Sequence, residues 1–140
     1  MHYLHYHTMR CTLQYVVALR PEETAVELTD LWIVQLRKGV VELLILRLLA
    51  LHGELHGYAV VKELQSLGRL IAGESTVYPV MKRLEADGLL TSHWVESSGG
   101  PPRKYYSVSA TGSRFLTEAA AEWGVIVDSM RTLEGADRNG

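Results

Sequence analysis

A stretch from residue 74 to 84 combines hydroxyl, aromatic and cationic side chains in an order suited to binding phosphate groups. Its apolar residues recur at helical spacing, which predicts a helix with one buried face. The residues left on or beside the opposite face are Ser75, Thr76, Tyr78, Pro79, Lys82 and Arg83. A helix N-terminus offers free N–H groups to phosphates, hydroxyls add donors, and Lys or Arg reach phosphates or guanine edges. The alternative is an ordinary solvated helix face.

A second cationic feature lies in a segment rich in glycine and proline. Residues 90–95 and 104–108 are rich in β-branched and aromatic side chains and predict strands. Glycine and proline within residues 96–103 predict a loop, so the segment is interpreted as a hairpin with a long tip and with Arg103 and Lys104 at its base. Such a hairpin can lie along a DNA backbone or enter the minor groove. The alternative is an ordinary solubilising hairpin.

Four predicted helices precede the hairpin. Pro21 begins a short helix that extends through Leu36, and near Gly39 a new helix starts that is apolar enough to be largely buried and is ended by Gly53. The other two run from His56 to Gly68, with apolar residues Val60, Val61, Leu64 and Leu67, and from Gly73 to Gly88, with apolar residues Val77, Val80 and Leu84. Three core helices followed by a hairpin are typical of the winged helix-turn-helix. The predicted fold class is therefore mainly α with a small β-hairpin.

The last predicted helix, capped by Ser109 and ended by Gly135, carries the seam of a coiled coil. Its apolar residues step by three, four, three, four and three: Leu116, Ala119, Trp123, Ile126, Met130 and Leu133. One such helix has little to bury against in its own chain. The pattern therefore favours a homodimer, whose two-fold symmetry suits paired DNA half-sites. Packing against its own domain is the alternative.

These elements divide the chain into four parts. They are an N-terminal extension at 1–27, expected to be poorly ordered, a winged helix-turn-helix domain at 28–110, a dimerisation helix at 111–135 and a tail at 136–140. Three histidines, His2, His5 and His7, suggest a metal site, but no Cys or acid lies at ligand spacing beside them. An added, unstructured stretch is the preferred interpretation of this segment, so neither a metal nor a cofactor is expected.

The distribution of charge, the cysteine count and the lack of long apolar runs limit the functions that the protein is expected to have. The formal net charge is -2, yet residues 37–114 hold ten Lys/Arg against seven Asp/Glu, whereas residues 115–140 hold two against five. The locally basic middle favours an anionic partner there. A single cysteine, Cys11, and the lack of a spanning apolar run or a signal peptide predict a cytoplasmic protein. No catalytic Ser/His/Asp set or phosphate-binding glycine loop is evident, so an enzyme is not expected.

Several motifs together resemble the PadR family of transcriptional regulators over residues 28–133. They are Leu36-Arg-Lys-Gly-Val-Val-Glu-Leu-Leu-Ile-Leu, His56-Gly-Tyr, Glu74-Ser-Thr-Val-Tyr-Pro-Val-Met-Lys-Arg-Leu-Glu, Gly88-Leu-Leu and Gly99-Gly-Pro-Pro-Arg-Lys-Tyr-Tyr. Gly73 departs from the serine common before the third core helix, although glycine also caps helices. The resemblance implies an operator-binding repressor that dimerises through its C-terminal helix and is often released by a small effector. Tyr58, in the second motif, joins the expected DNA-binding residues.

The resemblance also implies an effector-binding role for Trp123, because some members of the family bind flat aromatic molecules between paired tryptophans. A core aromatic of the dimer interface is the alternative. For the protein as a whole, the alternative to DNA binding is a winged helix used only for protein contacts. Such a module would not need Lys82, Arg83, Arg103 and Lys104 on one surface.

Overall fold

The computed structural model describes residues 21–68 and 73–137. The predictions for His2, His5 and His7 lie outside the described residues. The chain divides into two compact units, residues 1–37 and 38–140. None of the described helices combines the length and apolar character needed to cross a membrane.

The architecture is mainly α-helical with one small antiparallel sheet, as the sequence predicts. The elements are α1 (Pro21–His52), β1 (Glu54–His56), α2 (Gly57–Ser66), α3 (Glu74–Ala86), β2 (Leu90–Ser97), β3 (Gly100–Val108) and α4 (Ala110–Asp137). This order of helices and a hairpin, followed by a long terminal helix, is that of a winged helix-turn-helix. The predicted fold class is confirmed.

A single apolar core joins the helices of the second unit to the sheet. Its buried side chains are Val41, Ile45, Leu46, Leu49, Val60, Val61, Leu64, Val77, Met81, Leu84, Leu90, Tyr106 and Leu116. On α3 the buried residues are Val77, Met81 and Leu84, whereas Val80 is only partly buried. Leu67, predicted on the apolar face of α2, is instead 63% exposed, because the helix ends at Ser66 and Leu67 forms its C-cap. Each fully buried leucine contributes about 1.5–3 kcal/mol to the core.

The helix α1 differs from its prediction. A break near Gly39 was expected, but one helix extends from Pro21 to His52. An interior glycine costs only about 1 kcal/mol relative to alanine, and the buried apolar residues that follow offset this cost. Gly53 ends the helix as predicted: its φ is 81°, and its N–H donates to the Leu49 carbonyl over 2.8 Å.

The sheet has the order β1-β3-β2, and β1 was not predicted because it is only three residues long. The prediction of a long loop over residues 96–103 is wrong. Strand β2 continues to Ser97 and β3 begins at Gly100, so the turn is short, with Gly99 at a φ of 85°. The register pairs Val95 with Arg103 and then Ser97 with Gly100. Between these pairs the register shifts by one residue, as in a β-bulge, and this shift accommodates Pro101 and Pro102.

Helix α4 is anchored to the sheet at its first turn. The Ser109 hydroxyl accepts a hydrogen bond from the Gly112 N–H over 2.9 Å, which confirms the predicted cap. Gly112 is buried against the Leu89 carbonyl and the Val108 side chain. The helix does not end at Gly135 as expected but continues to Asp137, since a glycine with a negative φ does not terminate a helix.

Candidate nucleic-acid interface

Helix α3 exposes most of the side chains that the sequence assigns to its outer face. Because the helix buries Val77, Met81 and Leu84 against the core, the opposite face turns to solvent. The outer residues are Ser75, Tyr78, Pro79, Lys82 and Arg83, all exposed, and Thr76, which is partly buried. Gly73 caps the helix without a side-chain hydrogen bond. The N-terminal turn therefore presents a hydroxyl and backbone N–H groups, and the cations follow on the same helix.

Tyr78 lies where the first residues of α2 meet α3. A Cβ added at Gly57 would lie 2.7 Å from the Tyr78 ring, so only glycine fits there with the ring in this position. Burial raises the pKa of the Tyr78 hydroxyl, and the Glu74 carboxylate raises it further, so the phenol remains a hydrogen-bond donor at neutral pH. Tyr58 is half-exposed nearby on α2, with the Lys62 ammonium 5.2 Å from its ring centroid.

Arg83 has a protein partner that the sequence does not reveal. Its guanidinium forms an ion pair with the Glu42 carboxylate on α1, although the two residues are far apart in the chain. In the described part of the chain, Lys82 forms no ion pair and its side chain is exposed. The adjacent cations of α3 therefore stand in different electrostatic surroundings.

Arg103 and Lys104 point to opposite faces of the sheet. Side chains alternate along a strand, and both residues lie within β3 rather than in a loop. Lys104 is on the face turned toward α3, where its ammonium donates to a Glu85 carboxylate oxygen over 2.8 Å. Arg103 is exposed on the other face, with a guanidinium nitrogen 3.4 Å from His56 Nε2. The two predicted wing cations are therefore not brought together.

The outer face of the sheet carries an aromatic row that sequence reasoning missed. His56, Tyr105 and His93 are directly opposite one another across the three strands. The Tyr105 ring is edge-on to His56, with centroids 5.5 Å apart, and stacked with His93 at 6.1 Å. The His56 Nδ1 also accepts from the Ala59 N–H and so caps α2. Arg103 therefore sits beside the residue that begins the first helix of the helix-turn-helix.

Helix α4 has an exposed apolar stripe. Leu116 departs from the stripe because it is only 5% exposed and packs in the core of its own chain. The other predicted seam residues are exposed or partly exposed: Ala119, Trp123, Ile126, Met130 and Leu133. A cavity of about 230 Å³ borders the stripe and is lined by Gly39, Glu42, Leu43, Phe115, Ala119, Glu122, Trp123 and Ile126.

The family of the chain follows from a comparison with known proteins. The model of the transcriptional regulator PadR-like family matches residues 45–118, which is more than half of the chain. The chain belongs to the PadR family. The resemblance drawn from the sequence motifs is thereby confirmed, and because the family consists of transcriptional regulators, so is the expectation that the protein is not an enzyme.

Relatives with known structures share the PadR fold. A PadR family transcriptional regulator from Eggerthella lenta is 37% identical, with a TM-score of 0.67, and the match covers 79% of this chain and 96% of that chain. Bacillus subtilis PadR, solved in complex with operator DNA, is 30% identical, with a TM-score of 0.52, and the match covers 56% of this chain and 45% of that one. An uncharacterized protein of Lysinibacillus sphaericus is 30% identical over 91 residues, covering 64% of this chain and 83% of the relative.

The described residues of this PadR-family chain contain no cluster of side chains that would favour a metal site over a nucleic-acid interface. Within residues 21–68 and 73–137, no three His, Cys, Asp or Glu side chains are placed to hold a metal ion. The chemistry available on α3 and β3 consists of hydroxyl, phenol and N–H donors together with exposed cations. Such groups bind anionic, hydrogen-bond-accepting ligands such as a nucleic-acid backbone.

Proposed function

We propose that this protein is a sequence-specific DNA-binding transcriptional regulator. The observation that carries the proposal is the exposure of Lys82 on α3 and of Arg103 on β3 in a chain of the PadR family, with neither cation held by a carboxylate in the described residues. The likeness to the operator-bound Bacillus subtilis PadR supports it. In this proposal α3 is the recognition helix and the β2–β3 hairpin is the wing.

The proposed DNA contacts come from three elements. The recognition helix contributes Ser75, Thr76, Tyr78, Pro79 and Lys82, α2 contributes Tyr58, and the wing contributes Arg103. Hydroxyl and N–H donors at the start of α3 hold phosphates, and Lys82 reads a base edge. Arg103 contacts the DNA backbone independently of sequence.

We further propose that the protein acts as a homodimer through α4. Four seam residues, Trp123, Ile126, Met130 and Leu133, are between 39% and 65% exposed in the single chain. Apolar side chains in a heptad pattern lose this contact with water when a second α4 packs against them. A two-fold dimer would also present two recognition helices to the two half-sites of an operator.

A repressor released by a small aromatic effector is the form of regulation that we propose. Trp123 and Phe115 supply the aromatic surface of the cavity beside the seam. An effector stacked on Trp123 would lie where the dimer forms, so its binding would change the spacing of the two recognition helices. Tryptophan fluorescence during titration with flat aromatic compounds tests this, and the absence of quenching by any of them would contradict it.

The DNA-binding proposal predicts different effects for the two exposed cations. The operator is first selected from a random DNA pool, and affinity is then measured for operator and random DNA over a series of salt concentrations. Arg103→Ala is expected to weaken binding to both DNAs similarly and to lower the salt slope by about one. Lys82→Ala is expected to cost roughly 1–3 kcal/mol on the operator and less on random DNA, as for a lost base contact.

Two results would contradict this assignment. If no sequence is enriched from the pool and the protein does not bind random DNA at low salt, the fold serves protein contacts instead. If Arg103→Ala leaves both affinity and salt slope unchanged, the wing does not contact DNA. Glu96→Gln, an exposed charge change on the neighbouring strand, is a control for nonspecific effects of altered wing charge.

A further inference from the structure

We infer that Lys104 is a positioning residue that fixes the wing against the recognition helix α3, with Glu85 as its partner, rather than a contact to DNA phosphate. This inference rests on the proposed DNA-binding function. It changes the role expected for Lys104 from the sequence, where it stands next to Arg103 as a second wing cation.

Glu85 is engaged by both strands of the wing. One of its carboxylate oxygens accepts from the Lys104 ammonium on β3 over 2.8 Å, and the other accepts from the Ser92 hydroxyl on β2. Glu85 belongs to the last turn of α3, so a single carboxylate links the end of this helix to two adjacent strands. We call this set of three residues, Glu85, Ser92 and Lys104, the bridge.

The surroundings of the bridge favour its ion pair over a phosphate contact. The Lys104 and Glu85 side chains are each only 30% exposed, and the ammonium also lies 5.2 Å from the Tyr106 ring centroid. Hydrogen bonds from Lys104 and Ser92 lower the pKa of Glu85, and the bond to Glu85 raises the pKa of Lys104, so both groups stay charged at neutral pH. To reach a phosphate, Lys104 would have to leave a partly buried carboxylate without its counter-charge, which is unfavourable.

The position of the bridge along β3 explains why it matters. Strand β1 pairs with β3 only from Tyr105 to Ser107, so Lys104 is the first residue of β3 beyond the three-stranded part of the sheet. Toward the turn, only β2 and β3 remain paired. A two-stranded ribbon twists and bends more easily than a wider sheet. The bridge therefore holds the wing at the point where it leaves the body of the domain and sets its angle to α3.

The test compares Lys104→Met with Arg103→Met, which remove the same charge from adjacent residues. Lys104→Met is expected to lower operator affinity by about tenfold, because the wing is no longer held against α3 and its contacts, that of Arg103 included, are misplaced. Arg103→Met is expected to weaken binding to both DNAs and to lower the slope by about one. Unchanged operator affinity in Lys104→Met would show that the bridge does not position the wing and would overturn the inference.

A second readout needs no DNA and separates the bridge from the proposed function. The pKa of Glu85, followed by carboxyl NMR, should rise in Lys104→Met and remain lowered in Arg103→Met. The double variant Glu85→Lys with Lys104→Glu, which reverses the ion pair, should recover operator affinity relative to either single change. If the wild-type protein binds no DNA, the DNA-binding proposal fails, while the Glu85 titration still tests the bridge. An unchanged Glu85 pKa in Lys104→Met, or no recovery in a folded double variant, would overturn the inference.

Discussion

Replacing Ile126 and Met130 together by glutamate is expected to convert the protein into monomers and to lower operator affinity by about 10²–10⁴-fold. Both side chains are more than half exposed in the single chain, so the glutamates disturb no packing within it. In a dimer they would place like charges against an apolar seam, which excludes the second helix. Each monomer would then bind one half-site without the effective concentration that the linked second site provides.

Sedimentation velocity and operator titration at one salt concentration measure the two effects. The matched control is Ala121→Glu with Thr132→Glu, which adds the same charge to exposed positions on the other side of α4. The control should remain dimeric and bind normally. A dimer of unchanged stability in the Ile126→Glu, Met130→Glu variant would show that α4 is not the interface. Point changes are preferable to cutting the chain after residue 111, because a truncation there would also remove Leu116 from the core.

The second large effect is expected from Gly112→Ala, which should lower the free energy of unfolding by about 3 kcal/mol and the Tm by on the order of 10 °C. An added Cβ would collide with the Leu89 carbonyl oxygen and would lie 2.9 Å from Val108 Cγ1. The Leu89 carbonyl cannot easily move, because it accepts the Ser109 N–H over 3.0 Å. The joint between α4 and the sheet must therefore open.

Gly135→Ala is the matched control for this prediction. It lies in the same helix, and nothing lies within 4 Å of an added Cβ. The change should leave stability equal or raise it by up to about 1 kcal/mol, since alanine is the better helix former. Thermal unfolding followed by circular dichroism measures both variants. Equal Tm values for Gly112→Ala and the wild type would mean that the approach of α4 to Leu89 is looser than the structure indicates.

The sequence predicted the elements whose signals are local. Gly53 and Ser109 were assigned correctly as a stop and a cap because each acts on backbone groups within four residues. The heptad spacing of apolar residues on α4 could be recognised in the sequence for the same reason. Met81 also has the spacing of a buried residue, at four and three residues from Val77 and Leu84, but Val80 was predicted to be buried instead. The order of the predicted helices and hairpin gave the fold class, which the structure and the comparisons confirm.

The sequence could not predict interactions that depend on which face of an element meets a distant partner. Strand β1 is too short to have a pattern of its own, and it exists because β3 supplies its hydrogen bonds. Because β3 begins at Gly100, Arg103 and Lys104 both lie within the strand, and their side chains therefore lie on opposite faces of the sheet. The residue types and their local spacing determined where helices occur, the stop at Gly53, the cap at Ser109 and the exposed apolar stripe of α4 from Ala119 onward. Only tertiary packing decided that Arg83 meets Glu42 and that Lys104 meets Glu85, because pairing of charges requires their elements to be brought together first.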